Sequence, residues 1–191
     1  ERIYKFFSDE KNMNKEFMNV SFFPEPHSGG ENAYMRAKYY TFYDFPLTRF
    51  FKRKTIGKIM GFFIYLQGLY QMERKLLPIK YYNGSSKFYI TYDFMIYTLD
   101  YFKLNPQDFN RFKYTNCIDE VFFQTFLLNS KFKDNLANTL MKFHVWDKNN
   151  PYELNSTYIE DIKKKKPFIV AKLNQGFSDE LFDFIENNRI D

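Results

Sequence analysis

Residues 114–130, Tyr-Thr-Asn-Cys-Ile-Asp-Glu-Val-Phe-Phe-Gln-Thr-Phe-Leu-Leu-Asn-Ser, constrain the fold more than any other stretch. A polar lead-in reaches Asp119-Glu120, and the chain then turns sharply apolar. Val121, Phe122, Phe126 and Leu127 are too apolar to face water together, so a helix begun here is buried behind its start. Asp119 is placed to cap that helix, its carboxylate accepting from the free N–H groups of the first turn. Glu120 follows inside that turn, where the helix dipole favours negative charge. A carboxylate at the exposed tip of a buried helix is a rigidly aimed base. A helix cap with no further role is the competing reading of the same pair.

The chain has 191 residues, enough for one domain with a core, and its 45% hydrophobic content with few Gly and Pro is that of a globular protein. The 25 Phe and 16 Tyr, beside many Lys and Asn, read as a compositional bias of the source genome. Aromatic residues alone therefore carry no functional argument. A net charge of +5 fits a phosphate-bearing partner or a negatively charged membrane surface without requiring either. Nucleic acid is not an expected partner, because no recognition motif and no sustained basic helix occurs. Cys117 is the sole cysteine. It allows no internal disulfide, points to a reducing compartment, and has no basic neighbour or His at a spacing that would make it a nucleophile. Glu1 is not an initiator methionine and no signal peptide stands before it, so the sequence reads as a processed chain or a fragment.

In order along the chain, residues 1–7 set Ile3, Phe6 and Phe7 on one helix face. Residues 16–23 partly alternate and read as a strand; 24–30, with Pro, His, Ser and paired Gly, reads as a loop. Residues 31–43 place Arg36 and Lys38 among Tyr34, Tyr39, Tyr40 and Tyr43. Rings beside a cation suit a sugar, whose C–H faces stack and whose hydroxyls bond the guanidinium. An amphipathic segment with an ordinary surface arginine is the alternative. Lys52-Arg53-Lys54 precedes the apolar run 59–70, which is too short to cross a bilayer. It could rest on an anionic membrane surface or be a buried helix with a solvated end.

Glu73-Arg74-Lys75 leads to Pro78, and Asn83-Gly84 reads as a tight turn between strands. Residues 92–102 read as a helix packed on that strand, with Asn105-Pro106 as the next boundary. Residues 140–146 alternate like a strand and 147–152 read as a turn. A helix over 158–166 is capped by Ser156 or Thr157. The strand 168–172 ends on Lys172, and an acidic helix over 178–188 closes the chain. With no repeat and no linker, one domain of mixed α and β structure is expected over 1–191.

Three segments fall in the order and spacing of one family. Gly84-Ser85-Ser86-Lys-Phe-Tyr-Ile-Thr resembles the "G-S-x-W/Y-x-x-L-[ST]" strand of the core-2/I-branching glycosyltransferases (glycosyltransferase family 14), which include the peptide O-xylosyltransferases. Asp119-Glu120-Val-Phe-Phe-Gln-Thr resembles their "[P]-D-E-x-[FY]-[FWL]-x-T" helix start. Phe168-Ile-Val-Ala-Lys172, followed by Asp179-Glu180-Leu-Phe, is similar to their "L-F-A-x-K-F-D" strand and terminal helix. Between them, Lys142-Phe-His-Val-Trp146-Asp147 with Asn150-Pro151 is similar to the "R-[FY]-I-D-W…N-P" element of bacterial members. The set runs from about residue 80 to the end, and residues 1–7 resemble the helix after the family's first half.

The resemblance implies the C-terminal, acceptor-and-catalysis portion of a glycosyltransferase-A-like mixed α/β fold. The sugar-nucleotide-binding half would precede Glu1. It also implies an inverting transfer of N-acetylglucosamine or xylose from a UDP-sugar to a glycan acceptor. Glu120 is then the base, with Asp119 beside it, and Lys172 offsets charge on the departing diphosphate. Ser85 and Ser86 join Lys172 as donor-binding candidates; Arg36, Phe143 and Trp146 are the acceptor-binding candidates. The chain contains no Asp-x-Asp, so no metal site and no cofactor beyond the donor is expected.

The sequence departs from the family at Ile118, where proline is usual, and at Phe88, one place from the usual aromatic. The second basic residue on the diphosphate has no clear match, with Lys148 the one substitute at hand. His27 and His144 stand alone and read as structural. Lys163 to Lys166 read as a solvated helix end, with phosphate or membrane contact as the other reading. A two-carboxylate hydrolase is disfavoured, because the only second carboxylate, Asp119, is adjacent in sequence. The competing class is a non-enzymatic domain that binds carbohydrate or a membrane surface. With one cysteine and no anchor, a bacterial cytoplasmic enzyme fits better than a Golgi one, with peripheral membrane contact as an option.

Overall fold

Helices form where the apolar spacing asks for them, and between them lie strands of only two or three residues. The computed structural model describes residues 2–22, 33–42, 50, 53–139, 141–147 and 150–188. The loop expected at 24–30, and with it His27, lies outside the described residues, as do Tyr43, Lys52 and Lys148 and the side chains of Tyr34 and Arg53. The fold is mixed α/β. Its helices are α1 (Arg2–Ser8), α2 (Ala33–Lys38), α3 (Arg53–Leu69), α4 (Tyr92–Leu104), α5 (Pro106–Phe112), α6 (Phe122–Leu128), α7 (Ile159–Lys165) and α8 (Asp179–Asn187). Its strands are β1 (Glu16–Phe17), β2 (Val20–Phe22), β3 (Tyr82–Gly84), β4 (Leu136–Ala137), β5 (Lys142–Phe143), β6 (Trp146–Asp147), β7 (Asn150–Pro151) and β8 (Ile169–Val170). Among the described residues no helix is long and apolar enough to cross a membrane.

The chain divides into two compact units that interleave in sequence. Unit 1 comprises Glu1–Asn19, Lys87–Thr91 and Asn135–Asp191; unit 2 comprises Val20–Ser86 and Tyr92–Asp134. Because the chain passes between them four times, neither is a contiguous segment, and no linker composition marks a border.

In unit 1, β1 pairs in parallel with β4 and β5 in parallel with β8, while β6 and β7 pair antiparallel. The core gathers Phe143, Leu154, Ile162 and Leu181, joined by Val170, Leu173 and Phe184. A second apolar group packs Phe6 against Phe17 and, edge-on, against Phe168, with ring centroids 5.2 and 5.0 Å apart. Glu16 is fully buried, and its carboxylate accepts from the Thr91 amide at 2.7 Å and from the Thr91 hydroxyl at 2.5 Å. The helix expected over 158–166 forms, but its cap is neither Ser156 nor Thr157. The Asn155 Oδ1 accepts from the Thr157 amide at 3.2 Å and closes the 3-10 turn Ser156–Tyr158 that leads into α7. An asparagine one position earlier reaches the N–H two residues on, which is the usual capping geometry.

In unit 2, β2 pairs antiparallel with β3, register Ser21 to Asn83. The tight turn expected at Asn83-Gly84 does not form. Both residues are buried in β3 and paired with a strand more than sixty positions away, and among the described glycines only Gly176 adopts a left-handed φ. The helix α4 spans the expected segment. Asn105-Pro106 is a boundary that also starts α5, since a proline in the first turn loses no helical hydrogen bond. The core is largely aromatic, with Phe102 touching Phe122 and Phe126 at 5.1 and 4.8 Å. Arg74 is buried, donating to the Thr115 hydroxyl at 2.8 Å and to the Arg111 carbonyl, and lies 4.9 Å over the Tyr40 ring.

Candidate functional site

The residues from Ile118 to Glu120 form a 3-10 turn, and α6 starts only at Phe122. The Glu120 amide donates to the Cys117 carbonyl at 2.9 Å and the Val121 amide to the Ile118 carbonyl at 3.1 Å. This tighter winding changes the expected role of Asp119. It caps neither turn: the residue ahead of the 3-10 turn is Cys117, in the left-handed region at φ 50, and the one ahead of α6 is Val121. The Asp119 carboxylate is exposed and forms no hydrogen bond or ion pair with the described residues, while its backbone carbonyl accepts from Gln124 Nε2 at 3.2 Å.

Glu120 ends that 3-10 turn, partly exposed ahead of α6 and not inside its first turn as expected. Its partner is Arg36 on α2, whose Nη1 donates to Glu120 Oε2. The side chains are 12% exposed for Arg36 and 29% for Glu120, so water screens the pair less than a surface ion pair. The Arg36 Nε is buried with no hydrogen-bond partner among the described residues. Two residues assigned separately, one as base and one as acceptor contact, are thus brought into a single pair.

Behind them, Gln124 fixes the turn to β3. It is fully buried and donates from Nε2 to the Ser85 carbonyl at 3.0 Å as well as to Asp119. Its Oε1 is buried without a partner among the described residues. Next to it, the buried Thr125 hydroxyl accepts from the Tyr82 amide at 3.1 Å and donates to the Tyr82 carbonyl at 3.0 Å. Ser85 therefore meets this site through its backbone, and Ser86 is partly exposed beside it. Gln124 and Thr125 lie within the quoted motif but carry no apolar periodicity and no titratable group, which is why residue type alone does not single them out.

The remaining candidates lie in unit 1. Lys172, two residues past β8, stands 3.6 Å from Glu153, which also accepts from Asn174 Nδ2 at 3.0 Å. The anion beside Lys172 is therefore a carboxylate of the chain itself. Phe143, expected at the acceptor, is 5% exposed and packs into the core with Leu154 and Leu181. That burial follows from its inward position on β5, and it removes Phe143 as an open stacking platform. Trp146 is 56% exposed and stands edge-on to His144, 5.7 Å between centroids. Burial, and then the positive charge of Lys142, lower the pKa of His144 below the usual 6.5, against a hydrogen bond with the Lys142 backbone. Among the described residues no three His, Cys, Asp or Glu side chains converge.

No family model, no curated protein and no solved structure matches this chain.

Proposed function

We propose that the protein is an inverting glycosyltransferase that moves a sugar, N-acetylglucosamine or xylose by resemblance, from a UDP-sugar to a hydroxyl of a glycan acceptor. The observation that carries this reading is Glu120, a partly exposed carboxylate aimed by Arg36 and fixed from behind by Gln124. Glu120 takes the acceptor proton as the acceptor oxygen attacks the anomeric carbon. The bond from that carbon to the diphosphate oxygen breaks on the opposite face, and UDP leaves with the electron pair. Arg36, already bonded to the base, orients the acceptor through its remaining N–H groups. On this reading the protein is a glycosyltransferase-A-type enzyme working on the cytoplasmic side of a bacterial membrane. The test is UDP release and sugar transfer from a panel of UDP-sugars, with chelator present. The wild type turns over one donor, and Glu120→Gln lowers turnover by about 10²–10⁴-fold. Absence of turnover with every donor sinks the proposal.

A second reading, contact with an anionic membrane surface, is favoured by α3. Ile56, Met60, Ile64 and Gln67 form its inner face. Ile59, Phe62, Phe63, Tyr65, Leu69 and Tyr70 are exposed and span about 160° of the circumference at 100° per residue. The exposed Lys54 borders that arc and the exposed Lys58 falls within it, as basic residues accompany interfacial helices. Phe63 and Tyr70 continue into an apolar groove of about 540 Å³ floored by Gln67, whose amide group exchanges two 2.9 Å hydrogen bonds with the Tyr40 backbone. This reading stands beside the first, since a membrane-bound acceptor would require both.

A further inference from the structure

We propose that unit 1 carries a second binding site, for a phosphate-bearing ligand, in the cleft where the end of α7, the start of β5 and α1 meet. The cleft encloses about 390 Å³, within the range of small-molecule sites. Four cationic residues line it, Arg2, Lys142, Lys165 and Lys166, and none of the described residues that line it is a carboxylate. The proposal is independent of glycosyl transfer, and Lys172 takes no part in it.

Part of this charge has a structural explanation. Lys165 and Lys166 close α7, where the helix dipole favours cations. Arg2 donates to the Lys166 carbonyl and lies 4.9 Å over the Phe168 ring. Lys165 stands 5.0 Å over the ring of Phe143. None of this accounts for Lys142. It is a strand residue, partly buried, and makes no ion pair with the described residues. Burial, and then the charge of Lys87, hold its pKa below the usual 10.5. The fold thus gathers like charges with no carboxylate among the described residues lining the cleft, an arrangement that an external polyanion relieves. Phosphate oxygens would bond to the lysines, and the rings of Phe6 and Phe168 would wall whatever apolar group the phosphate carries. The same headgroup chemistry belongs to free nucleotides and to anionic lipids.

Calorimetric titration with inorganic pyrophosphate and with UDP, and co-sedimentation with phosphatidylcholine vesicles with and without phosphatidic acid, test the site on Lys142→Gln, Lys165→Gln, Lys163→Gln and Lys172→Gln variants that keep the wild-type melting temperature. Lys163 pairs with Glu160 and does not line the cleft. The expected result is saturable binding that weakens about tenfold in K142Q and K165Q and is unchanged in K163Q. Binding of soluble pyrophosphate or UDP with that pattern identifies a free ligand; the same pattern confined to phosphatidic acid vesicles identifies a lipid headgroup. Equal weakening in K163Q, weakening confined to K172Q, or no saturable binding to any probe overturns the proposal.

Discussion

Arg36 and Glu120, 84 positions apart in sequence, close an ion pair in which the guanidinium Nη1 donates to the carboxylate Oε2. The pair joins α2 to the turn before α6, so the aim of the carboxylate is set by tertiary structure as well as by the helix behind it. Removing either partner leaves a partly buried charge uncompensated, which is costlier than losing a surface pair.

A double-mutant cycle on Arg36→Ala and Glu120→Ala measures that coupling. Urea denaturation is expected to give an interaction of about 1–3 kcal/mol, above the value for an exposed pair. A coupling near zero would mean that the two side chains do not hold one another in solution.

Thr125 and Gln124 tie α6 to β3 through buried hydrogen bonds to Tyr82 and Ser85. Thr125→Val keeps the shape and removes both bonds to Tyr82, at an expected cost of about 2 kcal/mol in the urea midpoint analysis. Gln124→Leu releases the Asp119 carbonyl and so loosens the turn that carries Glu120. It should therefore lower transfer more than it raises the acceptor KM.

The pH dependence of stability carries a mark from His144. The folded chain holds its imidazole neutral to lower pH than the unfolded chain, whose histidine titrates near 6.5. As pH falls below that value the unfolded state takes the proton first, so stability rises with pH through this window and is lost on acidification. Replacing His144 with Gln should flatten that part of the curve, followed as the urea midpoint between about pH 5 and 8. An unchanged slope would assign the acid sensitivity elsewhere.

The exposed face of α3 is testable without disturbing the core. Phe62→Ser combined with Leu69→Ser should leave the melting temperature within a degree or two and reduce binding to anionic vesicles about tenfold or more. Equal binding by the variant would remove α3 as the contact.

The helices α3, α4 and α8 were legible because their signals are local. Apolar residues three and four apart and boundary residues such as Asn105-Pro106 report on neighbours within a turn or two. The same holds for Glu120, whose place before an apolar run marks the tip of a helix. The burial of Phe143 was not legible, because on a strand of two residues the alternation is too brief to show which side faces the core.

By itself, the sequence determined the type and order of most helices and the mixed α/β class, which follow from interactions within a few residues. Tertiary structure decided the partners. It paired Arg36 with Glu120 and Lys172 with Glu153, drew Asn83-Gly84 into a strand instead of a turn, and moved Asp119 from a cap to an exposed turn. Each outcome depends on groups from distant parts of the chain competing for the same hydrogen bonds and buried volume. That competition has no period and no local motif, so it is settled only when the chain has folded.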